Sequence, residues 1–206
     1  MTPAEIPALR AACFADPAAA AFFGPGDNQA AGLRGYLNAS SGVNAWRTDA
    51  PVDAIMDAID FSKFTPTAVI TGADTDPTVS RKVGWCLEVQ VKQMNMQMML
   101  QGRQTVNAAK PNVRGGLRDA VIQLPTVALD GNGKSGLTSA GGSGGAAVLG
   151  ACVRVAKRAE VMLAAGAQAS DQTGSVTARV MTWEGEVDEV DSVRLIYKDD
   201  GTIWTP

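Results

Sequence analysis

The sequence predicts a mainly α protein: a helical bundle around a long central helix, with a small β element near the C-terminus. Three observations carry this expectation. Between Pro77 and Gln101 apolar residues recur every three or four positions, the period of a helix face. The first forty residues hold alanine-rich segments opened by prolines, which are tolerated in a first helical turn. Period-two alternation stands out only in "SVTARVMTW" (175–183), which suits a strand. The expected organisation is an N-terminal helical extension over 1–43, a helical bundle core over 44–165, and a C-terminal strand, helix and extended tail over 166–206.

Pro3 and Pro17 open short apolar helices over 3–13 and 17–23. Asp27 is the expected N-cap of a helix over 27–38, which breaks at "NASSG". Asp49 caps a helix over 51–59, with Pro51 at its start and Ile55, Met56 and Ile59 as its apolar stripe. The polar loop 65–77 leads into the long helix. Val79, Val83, Leu87, Val91, Met94 and Met98 form one face, and Trp85, Val89, Met96 and Leu100 a second. Apolar residues on two faces imply protein on both sides. Methionine, unbranched and adaptable, then fills gaps between this helix and its neighbours, so Met94, Met96, Met98 and Met99 read as core and not as a soft-metal site.

A helix over 112–123 follows, with Val113, Leu117, Ala120 and Leu124 on one face and Arg114 and Arg118 one turn apart on another. Residues 130–145 are a glycine-rich flexible loop. One helix is expected over 145–165, burying Val148, Cys152, Val155, Ala159 and Met162 and turning Arg154, Lys157 and Arg158 outward. After the strand at 175–183, "EVDEVDSVRLIY" suits a short helix over 187–196, and "KDDGT" turns the chain into its tail.

Composition narrows the chemistry. The 206 residues contain no histidine, which removes Ser-His-Asp and Cys-His catalysis and histidine-bearing metal sites. Cys13, Cys86 and Cys152 are odd in number and widely spaced, against a disulfide framework or a zinc site. A net charge of −3 without a basic block argues against sequence-specific nucleic-acid binding by this chain. No run reaches the roughly 20 apolar residues of a membrane helix. No basic flank precedes an apolar run at the N-terminus, so no secretory signal is expected. "GNGKSG" (131–136) resembles the end of a phosphate-binding loop, but Ala128 stands where the first glycine belongs and no helix follows Ser135 directly. Asp130 and Asn132 begin a calcium-like pattern that Lys134 interrupts and no glutamate closes. Asp53, Asp57 and Asp60 surround one short helix, where an acid in the first turn complements the dipole. No catalytic residue, cofactor or metal site is expected.

Four segments, "NAWRTDAPVDAIMDAIDFSKFTP" (44–66), "QGRQTVNAAKPNVRGGLRDAV" (101–121), "VAKRAEVML" (155–163) and "MTWEGEVDEVDSVR" (181–194), resemble in the same order an uncharacterised family encoded among the virion-structure genes of tailed bacteriophages. That family shares an "AWR(T/S)" opening, a "KPNVRAG" segment, an "A(T/K)RAEKL" helix and a closing "FEG" before a short helix. The resemblance spans about residues 44–194 and implies a non-enzymatic virion component assembled in the host cytoplasm. The expected helical body with a small β element resembles the adaptor-type proteins that ring the portal and join head to tail, which implies a head–tail connector forming a ring of identical copies that meets portal or tail proteins. Capsid decoration or a minor tail-tip role is the alternative, and a histidine-free virion-associated hydrolase the outsider. In a ring, one patch meets a different patch on the next copy. The expected charged contacts are Arg114, Arg118, Arg154, Lys157 and Arg158 against Asp188, Glu189 and Asp191, with a solvated role for all of them as the other possibility.

Overall fold

The computed structural model describes residues 1–59, 91–92, 94–121, 144–163, 168–170 and 176–205. The protein is mainly α with a smaller β component. Its helices are α1 (Glu5–Ala15), α2 (Pro17–Ala20) continued by a 3-10 turn (Ala21–Phe23), α3 (Gln29–Asn38), α4 (Val52–Asp57), α5 (Pro111–Val121), α6 (Gly144–Ala151), α7 (Arg158–Leu163) and α8 (Glu189–Ile196). Residues 94–100 are also helical. The strands are β1 (Ser40–Trp46), β2 (Ala50–Pro51), β3 (Thr105–Val106), β4 (Val153–Lys157), β5 (Gln168–Ser170) and β6 (Thr177–Arg179). A four-stranded sheet has the order β4-β1-β6-β5, with β1 parallel to β6 and Ala45 opposite Arg179; β2 and β3 pair antiparallel. Among the described residues no single helix is long and apolar enough to cross a membrane.

The chain divides into two units, Met1–Ala45 with Arg154–Gln168 and Ala178–Pro206, and Trp46–Val153 with Ala169–Thr177. This redraws the expected boundaries. Residues 1–43 are no extension: Ile6, Leu9 and Cys13 of α1 and Leu33 and Leu37 of α3 share one core with Ala159, Val187, Leu195 and Ile196. Apolar stripes on short helices need partners, and here α1 and α3 find them on α7 and α8. The α-amino group of Met1 lies 2.6 Å from the buried carboxylate of Asp191, so charge joins the first residue to α8.

Local signals explain the helix ends. Asp16 accepts from the Ala18 amide to cap α2, with Pro17 in the first turn. Asp188 accepts from the Asp191 amide to cap α8. Two expected caps do not act. Asn28, at φ 63°, precedes α3 in place of Asp27, because asparagine tolerates the left-handed region. Pro51, in β2, precedes α4, and the Asp49 side chain makes no cap there.

Three larger expectations change. The single helix over 145–165 is instead α6, β4 and α7. Within β4 Val155 is 49% exposed while Ala156 is fully buried, so the strand's alternation replaces the predicted stripe. Arg154 and Lys157 therefore belong to a strand and not to a basic helix face. The strand expected at 175–183 is confined to Thr177–Arg179. In the long-helix region, Val79, Val83, Trp85, Leu87 and Val89 lie outside the described residues, as do loop 65–77, Phe61, Phe64 and residues 130–143 of the glycine-rich loop, whose last two glycines, Gly144 and Gly145, open α6. Of the remainder, Met96 and Leu100 are buried, but Val91, Met94 and Met98 are 53%, 59% and 71% exposed. Met96 packs as a gap-filler should; Met94 and Met98 do not. Met99 packs closely on α5: a Cβ on Gly116 would stand 3.2 Å from its sulfur.

Candidate functional site

The four segments that carry the resemblance meet two by two. In the second unit, "AWR" meets "NAAKPNVR". Trp46 is completely buried, and the Arg114 guanidinium carbon stacks over its ring at 4.9 Å. Arg114 Nη1 donates to the carbonyls of Ala108 (2.8 Å) and Ala109 (2.7 Å). The amides of those two residues donate to the Arg47 carbonyl at 2.8 and 3.2 Å, and the Arg47 amide donates to Cys152 O at 2.9 Å. The Asn107 side chain accepts from the Ala109 amide and shapes the turn from which Pro111 opens α5. Burial lowers the Arg114 pKa, and the two carbonyls and the indole face stabilise the cation there. Arg114 is thus an internal clamp, not a solvated or intersubunit charge. Arg118, one turn on, is half-buried and also has partners.

In the first unit, "KRAEVML" meets "WEGEV" around the side chain of Glu160, which is 2% exposed. Its carboxylate accepts from Arg154 Nη1 (2.6 Å), Arg154 Nη2 (3.1 Å), the Lys157 amide (2.8 Å) and the Gly185 amide (3.2 Å). The Lys157 bond is the reciprocal contact of a helix start, three residues back from the acid. Arg154 also approaches Glu184 at 3.6 Å, and Lys157 Nζ donates to Glu186 at 2.6 Å. Burial opposes the charge of Arg154, but the bonds it donates to Glu160 and the charges of Glu160 and Glu184 outweigh it and raise its pKa. The bond from Lys157 lowers the pKa of Glu186. Gly185 sits close to the Trp183 ring, and a Cβ there would lie 3.1 Å from it, so any larger residue must push the ring aside by a few tenths of an ångström.

At the centre of each arrangement the ionic group, Arg114 or Glu160, is held by internal partners. A buried carboxylate that accepts four hydrogen bonds is a structural hub, with no lone pair directed at an open space. The remaining predicted contacts divide. Asp191 is buried against the Met1 amine, and Asp188 caps α8. Glu189, 84% exposed at its side chain, reaches Arg34 only at 3.6 Å. Arg158 stacks on Tyr36 at 4.1 Å, with no carboxylate within ion-pair distance among the described residues. Comparison with family models, with characterised proteins and with solved structures finds no match.

Cys13 and Cys152 are fully buried free thiols, pushed up to about 12 and about 11 chiefly by burial, and at neutral pH they act as small hydrophobes. Among the described residues no group of three or more Cys, Asp or Glu side chains could hold a metal ion. Sequence reasoning passed over Glu160 and Trp46. Arg154 and Glu160 are six residues apart, a spacing without meaning on one continuous helix. The pair meets because the chain changes from strand to helix between them.

Proposed function

We propose that this protein is a structural component of a tailed-phage virion, a head–tail connector assembling as a ring of identical copies beside portal or tail proteins. The observation that carries the reading is the pairwise convergence of the four motif segments. The residues that make the chain resemble that family build two internal clamps, one on Arg114 and one on Glu160. Motif residues spent on internal bonds serve the shape of the fold and not a reaction, which fits a particle component. The long helix belongs to the same proposal. Its period begins at Val79, and residues 94–100 are helical, so we extend it over 77–101 as an axis of the second unit, with Val91, Met94 and Met98 on its outer face. Assembly takes place in the host cytoplasm.

Electron microscopy of particles carrying a labelled copy tests the assignment. Label at the neck of every particle is the expected result. Label distributed over the shell or at the tail tip transfers the protein to the decoration or tail-tip role. Its absence from purified particles overturns the virion reading.

A further inference from the structure

The surface of the first unit carries a cation, Arg158, without an ion pair among the described residues and an anion, Glu189, with only a long one, each beside exposed or open apolar surface. Arg158 and Tyr36 line an open groove of about 440 Å³ with Val43, Val161, Met162 and Asp16. The Arg158 side chain covers the Tyr36 ring, and among the described residues its guanidinium makes no hydrogen bond and no ion pair. The neighbouring carboxylate, Asp16, is hydrogen-bonded by the Tyr36 hydroxyl at 2.7 Å and the Ala18 amide at 3.0 Å; the hydroxyl bond leads in lowering its pKa and the Arg158 charge adds to it at longer range, so Arg158 keeps its N–H donors for an outside carboxylate. The groove thus presents a stacked, flat set of N–H donors above an apolar lining, the form that a carboxylate accepts bidentately.

The matching shape lies on α8. Val190 and Val193 are 57% and 43% exposed, three residues apart on one face, although the opposite face buries Leu195 and Ile196. Glu189 flanks them, and its contact with Arg34 is long and exposed, hence weak and exchangeable. An acid beside two valines complements an arginine beside Val43, Val161 and Met162.

We propose that α8 of one copy docks in the Arg158–Tyr36 groove of the next, with Glu189 on the Arg158 guanidinium and Val190 and Val193 against the apolar lining. The patches differ, so the contact is heterologous and propagates around a ring. It rests on the connector reading and specifies that reading's subunit contact.

The test is sedimentation of the full chain at low and moderate salt, as wild type, Arg158→Glu, Glu189→Arg and the double exchange, with circular dichroism as the folding control. The wild type is expected to self-associate, more weakly as salt screens the pair. Each single reversal should weaken association about tenfold or more, and the double exchange should restore it to within about threefold. Glu189→Arg alters a side chain outside the core, so it remains informative even if Arg158→Glu disturbs the Tyr36 stack. A wild type monomeric to about 1 mM, or a double exchange no better than the singles, overturns the contact. Rings with association unchanged in both singles leave the connector standing and remove this contact. Rescue that produces only closed dimers keeps the contact and removes the ring.

Discussion

Glu160 ties three separate pieces of the first unit together through one side chain. Its carboxylate neutralises Arg154, caps the start of α7 through the Lys157 amide and fixes the "WEG" turn through the Gly185 amide. Removing one member of a buried pair leaves the other uncompensated, which costs more than the pair itself contributes. Arg154 retains 19% exposure and a second acid at 3.6 Å, so the loss should fall at the lower end of the roughly 3–5 kcal/mol that breaking a buried pair costs. Glu160→Ala is expected to lower stability by about 3 kcal/mol in urea denaturation at neutral pH. A loss under about 0.5 kcal/mol, the level of ordinary surface changes, would show that the clamp does not hold the unit together. Arg114 shows the same logic in the second unit, and its two carbonyl partners and ring stack make lysine a poor replacement.

At the scale of elements, what could be read in the sequence depended on whether the deciding contact was local. α8 was legible because its cap, Asp188, lies within three residues of the amide it accepts, and its buried Leu195 and Ile196 follow at helical spacing. Asp188→Ala should therefore remove about 1 kcal/mol, measurable as a lower melting temperature with the fold retained. A melting temperature unchanged by the substitution would mean the cap contributes nothing. β1 and β4 were not legible. "SSGVNAW" and "VRVAK" acquire strand structure from a sheet whose partners lie more than a hundred residues apart, as the bond from Ser41 Oγ to Ala156 O illustrates. Alanine and valine at 145–165 satisfy a helix period and a strand period equally, and local propensity yields to such tertiary pairing. The candidate surface was half legible. Charge identified Arg158 and Glu189, but nothing in the sequence could show that Arg114, Arg154 and Asp191 turn inward to partners elsewhere in the chain.

The first unit as a whole is assembled from three stretches of chain, 1–45, 154–168 and 178–206, and its bonds span long loops. The Asn38 side chain exchanges hydrogen bonds with the backbone of Val187 across 149 residues, and Arg10 donates to the carbonyls of Arg194 and Leu195. Contacts at such separation close late in folding, because the loop entropy precedes the gain. The N-terminal helices are consequently part of the core and not an appendage. Deleting residues 1–28 removes Ile6, Leu9, Cys13 and Ala19 from beneath Leu195 and Ile196, together with the Met1 amine that pairs with Asp191. Ile6 and Leu9 alone contribute about 1.5–3 kcal/mol each by burial. That is a large share of the roughly 5–15 kcal/mol by which a domain is stable. The truncated chain should lose protease resistance over 178–205 and expose Trp183 and Trp204, seen as a red-shifted emission. A truncated chain that keeps native-like resistance in that stretch and melts as the full chain does would return the N-terminus to the status of an extension.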